Sequence, residues 1–129
     1  AKGATDMALR YAMERKTFGK PIAEHQAIQL KLAEMSTRAS AAELLVKQAA
    51  NKFDQGERCD LEAGQAQFFA SESAVQNSLD AMRVFGGYSY SPEYEIERFY
   101  RDAPLLCIGE GTNEIQRMII AKQMVARTQ

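Results

Sequence analysis

Ile28, Leu32, Met35, Ala39, Ala42, Val46, Ala49 and Phe53 recur at alternating steps of four and three residues. That spacing keeps every one of these side chains on one face of an α-helix for seven turns. A helix of that length runs about 40 Å at 1.5 Å per residue. It needs neighbours of comparable length to cover its apolar stripe, and Gly56 stands where its C-terminal cap belongs.

The flanking sequence supplies such neighbours. Ala4 to Lys16 favours helix, with Met7, Ala8 and Tyr11 at helical spacing and no proline against them. Thr17-Phe18-Gly19-Lys20-Pro21 ends it, because glycine admits positive φ and the residue before proline is pushed out of helical geometry. Asp60 is placed to cap a third helix, with apolar positions at Phe68, Val75, Leu79, Met82 and Phe85 and a stop at Gly86-Gly87. Small residues within it allow close packing. Ser91-Pro92 reads as the start of a short helix through Glu97 to about Arg101, closed by Pro104. Thr112 is placed to cap the last helix, in which Ile115, Met118, Ile119 and Val125 form an apolar face. No strand pattern competes. The expectation is one all-α domain over residues 1–129, an antiparallel four-helix bundle with an additional short helix.

Composition removes several functional classes. A chain of 129 residues that is 46% hydrophobic can bury one core without disulfides or metal. A net charge of −1 gives no general attraction to nucleic acid or anionic membranes. No apolar run of about twenty residues is present to span a bilayer. Cys59 and Cys107 match no metal spacing and read as two reduced thiols, with one disulfide between them as the alternative. The single histidine, His25, leaves a di-metal bundle centre without ligands and a Ser or Cys nucleophile without support. Walker and G-x-G-x-x-G loops are absent. The chain opens on Ala1-Lys2-Gly3 rather than Met and leads straight into helical pattern, so it is expected to be a piece of a longer polypeptide.

Chemistry concentrates in Ile108-Gly109-Glu110-Gly111-Thr112-Asn113-Glu114, where a carboxylate lies between two glycines just before a helix. Glycines let backbone approach a ligand closely, and first-turn N–H groups bind an anion or a carbonyl oxygen. A carboxylate so placed is a candidate base. From the local pattern alone, the favoured reading of Glu110 is an ordinary helix-flanking acid in a glycine loop.

Three further segments accompany it in fixed order: Arg15-Lys16-Thr17-Phe18-Gly19-Lys20-Pro21 leading to His25-Gln26, then Phe85-Gly86-Gly87, then Arg101-Asp102-Ala103. Together they resemble the acyl-CoA dehydrogenase family, over about Gly3 to Arg127. The resemblance implies the C-terminal bundle domain of an FAD-dependent enzyme that α,β-dehydrogenates acyl-CoA thioesters. Glu110 then matches the base that takes the α-proton while a β-hydride passes to flavin, and Gly111 matches a residue lying against the substrate. Thr112, Asn113 and Glu114 match a flavin-contacting turn. Arg15, Lys16, Thr17, Phe18, His25 and Gln26 match positions that reach an FAD held mainly by a neighbouring subunit. Arg83, Val84, Phe85, Gly86 and Gly87 match a second stretch along the cofactor. For Arg15 the alternative is a surface cation at a helix end, and for Phe18 a loop aromatic filling the core. Arg101 and Asp102 read as a structural ion pair or hydrogen-bonding unit.

The implied partners are an acyl-CoA substrate, an electron-transfer flavoprotein and further copies of the chain, as homodimer or homotetramer. An acyl-CoA oxidase, or a silent helical module that only self-associates, is the alternative. The resemblance implies two missing domains, an N-terminal helical one and a middle β-domain, without which this piece is expected to be inactive and not to retain FAD. The implied compartment is the cytoplasm of a bacterium or archaeon, or a mitochondrial matrix. This chain departs from the family at Arg83, usually Gln, at Ser89, often Gly, and at Gly109, where several straight-chain enzymes carry Tyr. The last departure suggests room for a bulkier acyl group.

Overall fold

The computed structural model describes residues 1–128. Its helices are α1 (Lys2–Glu14), α2 (Gln26–Asp54), α3 (Asp60–Phe85), α4 (Ile96–Asp102), α5 (Leu105–Ile108) and α6 (Asn113–Ala126). Asn77 bonds Met35 O while Lys52 meets Glu62, so α2 runs against α3. Thr5 meets Asn77 and Tyr11 meets Phe85, so α1 runs with α3 along its C-terminal half. Asn113 meets Ser71 and Arg127 meets Glu62, so α6 runs against α3 along its N-terminal half. The antiparallel all-α bundle expected from the sequence is therefore present, with α3 as its axis. No helix among the described residues is long and apolar enough to cross a membrane.

The long helix ends as its sequence requires. Gly56 adopts φ 72°, its N–H bonds Phe53 O, and the Glu57 N–H bonds Lys52 O, the paired bonds of a Schellman cap. Other boundaries differ. α1 spans 2–14 rather than 4–16, because Arg15 is already extended and its carbonyl accepts from the Ile22 N–H. Strand, not expected at all, occurs as two short segments, β1 (Lys16–Thr17) and β2 (Lys20–Pro21), paired antiparallel. Asp60 lies in the first turn of α3, paired to Arg58, and Cys59 takes the cap position without a side-chain bond. Ser91 accepts from the Glu93 N–H, but only a turn follows, and α4 starts later, at Ile96. α5 was not foreseen. Pro104 is its cap residue rather than the end of α4. Arg101 pairs with Glu97, not with Asp102.

Burial departs further from the apolar pattern. In α3 the expected apolar position Phe85 is buried, with Val84 beside it, but most other buried positions are small or polar, including Gly64, Ala66, Ser71, Ala74, Asn77, Ser78 and Ala81, whereas Phe68, Val75, Leu79 and Met82 are only half-buried. A helix packed along several sides gains most from letting backbones approach: a Cβ on Gly64 would stand 3.1 Å from Ile120 Cγ1. In α6 the side facing α3 is Asn113, Gln116, Ile120, Gln123 and Arg127, and the expected apolar face is turned outward, with Ile115, Met118 and Val125 exposed. On α2, Met35 and Ala42 are buried but Val46 and Phe53 are exposed, because α1 begins near Ala39 and covers no more of the stripe.

Two polar nodes fix this packing. Asn77, with 0% exposure, accepts from Arg38 Nε at 2.6 Å and donates to Thr5 Oγ1 at 3.0 Å and Met35 O at 2.9 Å, joining α1, α2 and α3. Glu62, also buried, receives Arg127 at 2.8 and 3.0 Å and Lys52 at 2.8 Å, joining α6 and α2 to α3. Hydrogen bonds from Arg127 and then Lys52 hold its carboxyl down at about 2, against 4.5 ordinarily. A depressed carboxyl stabilises the fold at pH above its unfolded value and loses that contribution as pH falls.

Two outcomes follow for urea unfolding. Asn77→Ala is expected to lower stability by roughly 1–3 kcal/mol, the usual cost of leaving buried polar partners unpaired, and an unchanged midpoint would contradict that role. Glu62→Gln is expected to be less stable than the parent at pH 7, with the gap closing between pH 4.5 and about 2. A gap independent of pH would contradict it.

Candidate functional site

The sequence-selected residues fall into two places on the bundle. The first is an open groove of about 570 Å³ at the C-terminal end of α3. It gathers Arg15, Thr17, His25, Val84, Phe85, Gly86 and Gly87, with Tyr11, Ile22, Ile28 and Tyr88.

Local chain geometry explains the convergence. Phe18 at φ 52° and Gly19 at φ 81° form a two-residue turn with both central residues left-handed, the type I′ signature, and so return β2 onto β1. Thr17 Oγ1 then meets His25 Nε2 at 3.0 Å, tying the hairpin to the start of α2. Opposite, Gly86 leaves α3 at φ 62°, and nothing stands within 4 Å of where a Cβ on Gly86 or Gly87 would be. Bare backbone thus borders the groove. Tyr11 stacks on Phe85 with centroids 4.1 Å apart, Tyr94 meets both edge-on, and Tyr88 lies 5.6 Å from Tyr94. The Arg15 guanidinium rests 5.5 Å from the Tyr88 ring centroid. Burial pushes the Tyr11 phenol up, against the opposing pull of Arg15.

The remaining members of that set stand apart from the groove. Lys16, Phe18 and Gln26 are exposed beside it, and Phe18, at 98% exposure, fills no core. Arg83 is drawn to Asp80 at 3.0 Å rather than into the groove. Sequence reasoning missed Tyr11 and Tyr88. Tyr11 stands four residues before Arg15 and shares its helix face, a signal that was available.

The second place holds Glu110, between α5 and α6. Glu110 is exposed and adopts φ 55°, a left-handed conformation for a residue with a side chain, and Gly111 follows at φ 93°. Thr112 Oγ1 accepts from the Ile115 N–H at 3.4 Å and caps α6. Asn113 is buried, accepting from Ser71 Oγ at 3.0 Å and donating to Glu72 at 2.8 Å, so its side chain is spent on α3. Glu114 is exposed beside Arg117, its carboxyl held below the usual range by its own backbone N–H and by the Thr112 hydroxyl. Gly111 has Gln116 Nε2 3.0 Å from where its Cβ would be. Phe85 lies fourteen residues beyond Ser71 on α3, a rise of roughly 21 Å along that helix.

The groove offers a guanidinium, two polar side chains, bare glycine backbone and an aromatic wall. That is a donor set for a flat aromatic group joined to phosphates. The adenosine diphosphate portion of FAD has this character, and the residues present fit it.

Comparison with known proteins bears on the family and not on single residues. Residues 1–125 match the family described as acyl-CoA dehydrogenase, C-terminal domain. Over 97% of its length the chain is 51% identical to a 3-(aryl)acrylate reductase of Clostridium sporogenes, covering 33% of that protein. It is 43% identical over 98% of its length to the caffeyl-CoA reductase–Etf complex subunit CarC of Acetobacterium woodii, covering 34% of it. Butyryl-CoA dehydrogenase from Megasphaera elsdenii superposes with TM-score 0.94 at 39% identity, over 96% of this chain and 32% of that one. The FAD complex of PigA gives TM-score 0.91 at 32% identity, over 96% and 32%. The chain therefore spans about a third of the length of the relatives it matches. Its sequence, bundle and motif order agree: it belongs to the acyl-CoA dehydrogenase family, as the C-terminal domain.

Proposed function

We propose that this chain supplies the catalytic base and part of the cofactor site of an FAD-dependent acyl-CoA dehydrogenase, with Glu110 as the base. The observation that carries this reading is the left-handed backbone of Glu110. A non-glycine residue held there costs about 1–3 kcal/mol, and such strain gathers at functional sites. Its consequence is geometric. The α6 cap and the Asn113 anchor fix the loop on one side, and the turn through Gly111 leaves the carboxylate exposed.

In the reaction, Glu110 takes the α-proton of the thioester as the C–H electron pair becomes the new C–C π bond, while hydride leaves the β-carbon. FAD supplies the two-electron acceptor when bound. A carboxylate desolvated by substrate becomes more basic, and hydrogen bonds to the thioester carbonyl acidify the α-carbon. Run in reverse, the protonated Glu110 returns the proton to the α-carbon. That direction suits the reductase names of two relatives. In the full-length protein, Glu110→Gln is expected to slow flavin reduction by acyl-CoA at least about a hundredfold while FAD stays bound. Retained reduction would reject the assignment.

The substrate we favour carries a ring or branch. Gly109 puts no side chain beside Glu110, a Cβ there would lie 3.1 Å from the Leu105 carbonyl, and both relatives named above are named for aryl-bearing substrates. Full-length protein is expected to turn over 3-arylpropanoyl-CoA faster than butyryl-CoA, and the opposite ranking would sink this choice. An electron-transfer flavoprotein is the acceptor we favour over oxygen, supported by the relative named as a subunit of an Etf complex.

Self-association is supported by a separate observation. Met118 and Val125 on α6 and Phe53 on α2 are each more than 60% exposed, and apolar patches of this kind mark interfaces. We favour a homodimer or homotetramer, in which the groove of one copy receives FAD held by another. The groove does not include Glu110, which accords with their serving different cofactors. The chain in sedimentation is expected to run as a dimer or larger, and a strictly monomeric species would count against this arrangement.

A further inference from the structure

We propose that Tyr88 is a positioning residue for cofactor binding, its ring holding the Arg15 guanidinium at the groove with the N–H groups left free for a diphosphate. This rests on the reading that the groove takes the adenosine diphosphate portion of FAD.

Arg15 caps the end of α1, where its side chain is exposed and long enough to sample many rotamers. No salt bridge among the described residues involves it. Its recorded partner is the face of Tyr88, 5.5 Å away, within the range of a cation–π contact. The kind of contact matters. A carboxylate partner would occupy the in-plane N–H donors, whereas a ring beneath the guanidinium plane restrains it and leaves all five donors available. Arg83 shows the contrast: it lies two residues from Phe85, and its guanidinium is committed to Asp80.

Tyr88, 47% exposed, is braced from its inner side. It lies on the 3-10 turn Gly86–Tyr90, which the buried Ser89 closes by donating to Gly86 O at 2.7 Å. Ser89, one of the departures from the family pattern, thus has a structural role here. Tyr94, 5.6 Å away, backs the Tyr88 ring and is packed edge-on against Tyr11 and Phe85. The ring therefore cannot retreat inward. Preorganising a rotamer-rich cation before the ligand arrives reduces the ordering cost of binding.

The test measures FAD affinity of the full-length apoprotein by equilibrium titration, with circular dichroism confirming that each variant is folded. Arg15→Ala is expected to weaken FAD binding. Tyr88→Leu is expected to weaken it roughly two- to fivefold, the size of an exposed cation–π contact. Tyr88→Phe, which keeps the ring face, is expected to restore parental affinity. In the Arg15→Ala background, Tyr88→Leu is expected to add nothing. Equal losses in both backgrounds, or no loss for Tyr88→Leu while Arg15→Ala weakens binding, would overturn the positioning role and leave the groove assignment standing. An Arg15→Ala variant with unchanged FAD affinity would overturn the groove assignment, and this inference with it.

Discussion

A carboxamide with no access to water must find its partners inside the protein, and Asn77 of α3 finds them on two other helices at once. Its oxygen takes Arg38 of α2 and its nitrogen serves Thr5 of α1 and the Met35 carbonyl of α2. The apolar contacts around it, Ala4, Ala8, Met35 and Ala81, are tolerant of sliding because methyl groups have no directional demand. The amide is not tolerant: a shift of one helical residue would strand buried donors and acceptors. Asn77 therefore sets the register of α1 and α2 on α3. From that register follow the stacking of Tyr11 on Phe85 and the meeting of the hairpin with the end of α3. The groove is a consequence of where one amide is satisfied.

The same logic acts at the other end of α3 with a charge in place of an amide. Glu62 is buried between Lys52 and Arg127, so α2 and α6 are both referenced to one carboxylate. Ser71 and Glu72 then hold Asn113 at the start of α6. With α6 fixed at its first residue and near its last, the short loop before it has little freedom. Glu110, left-handed at φ 55°, lies in that loop between the end of α5 and the start of α6. α3 thus acts as a rail carrying two separately anchored sites, each placed by a polar node and not by apolar packing.

This division explains what was legible in the sequence. Periodicity reports which residues avoid water, and the α2 stripe with its Gly56 cap gave the bundle and its longest element correctly. In α6 it identified the helix and its apolar face but not the direction of that face: the side turned to α3 is Asn113, Gln116, Gln123 and Arg127 around a single isoleucine, while the apolar face is left outward. Periodicity locates an apolar face on a helix and does not say which neighbour, if any, covers it. The hairpin was missed for another reason: its strands are two residues each, too short for alternation to register, and its signal is the left-handed pair Phe18-Gly19. α5 is a single turn held by Pro104 and carries no periodicity at all.

Motif order carried information where periodicity was silent: Arg15, Thr17, His25 and the Val84–Gly87 stretch, far apart in the chain, meet at one groove, while Lys16, Phe18, Gln26 and Arg83 from the same motifs stand outside it. It did not reveal how those residues work together. Arg15 and Arg83 look alike in sequence, two basic residues beside motifs, yet one is paired with a carboxylate and the other with a ring. Their difference arises from neighbours brought up by the turn after α3, which no linear spacing encodes. Arg83 shares the Asp80 carboxylate with Arg38, whereas Arg15, resting against Tyr88, has no salt bridge among the described residues. In this bundle the partner of each arginine, not its place in a motif, decides whether its donors are spent within the fold.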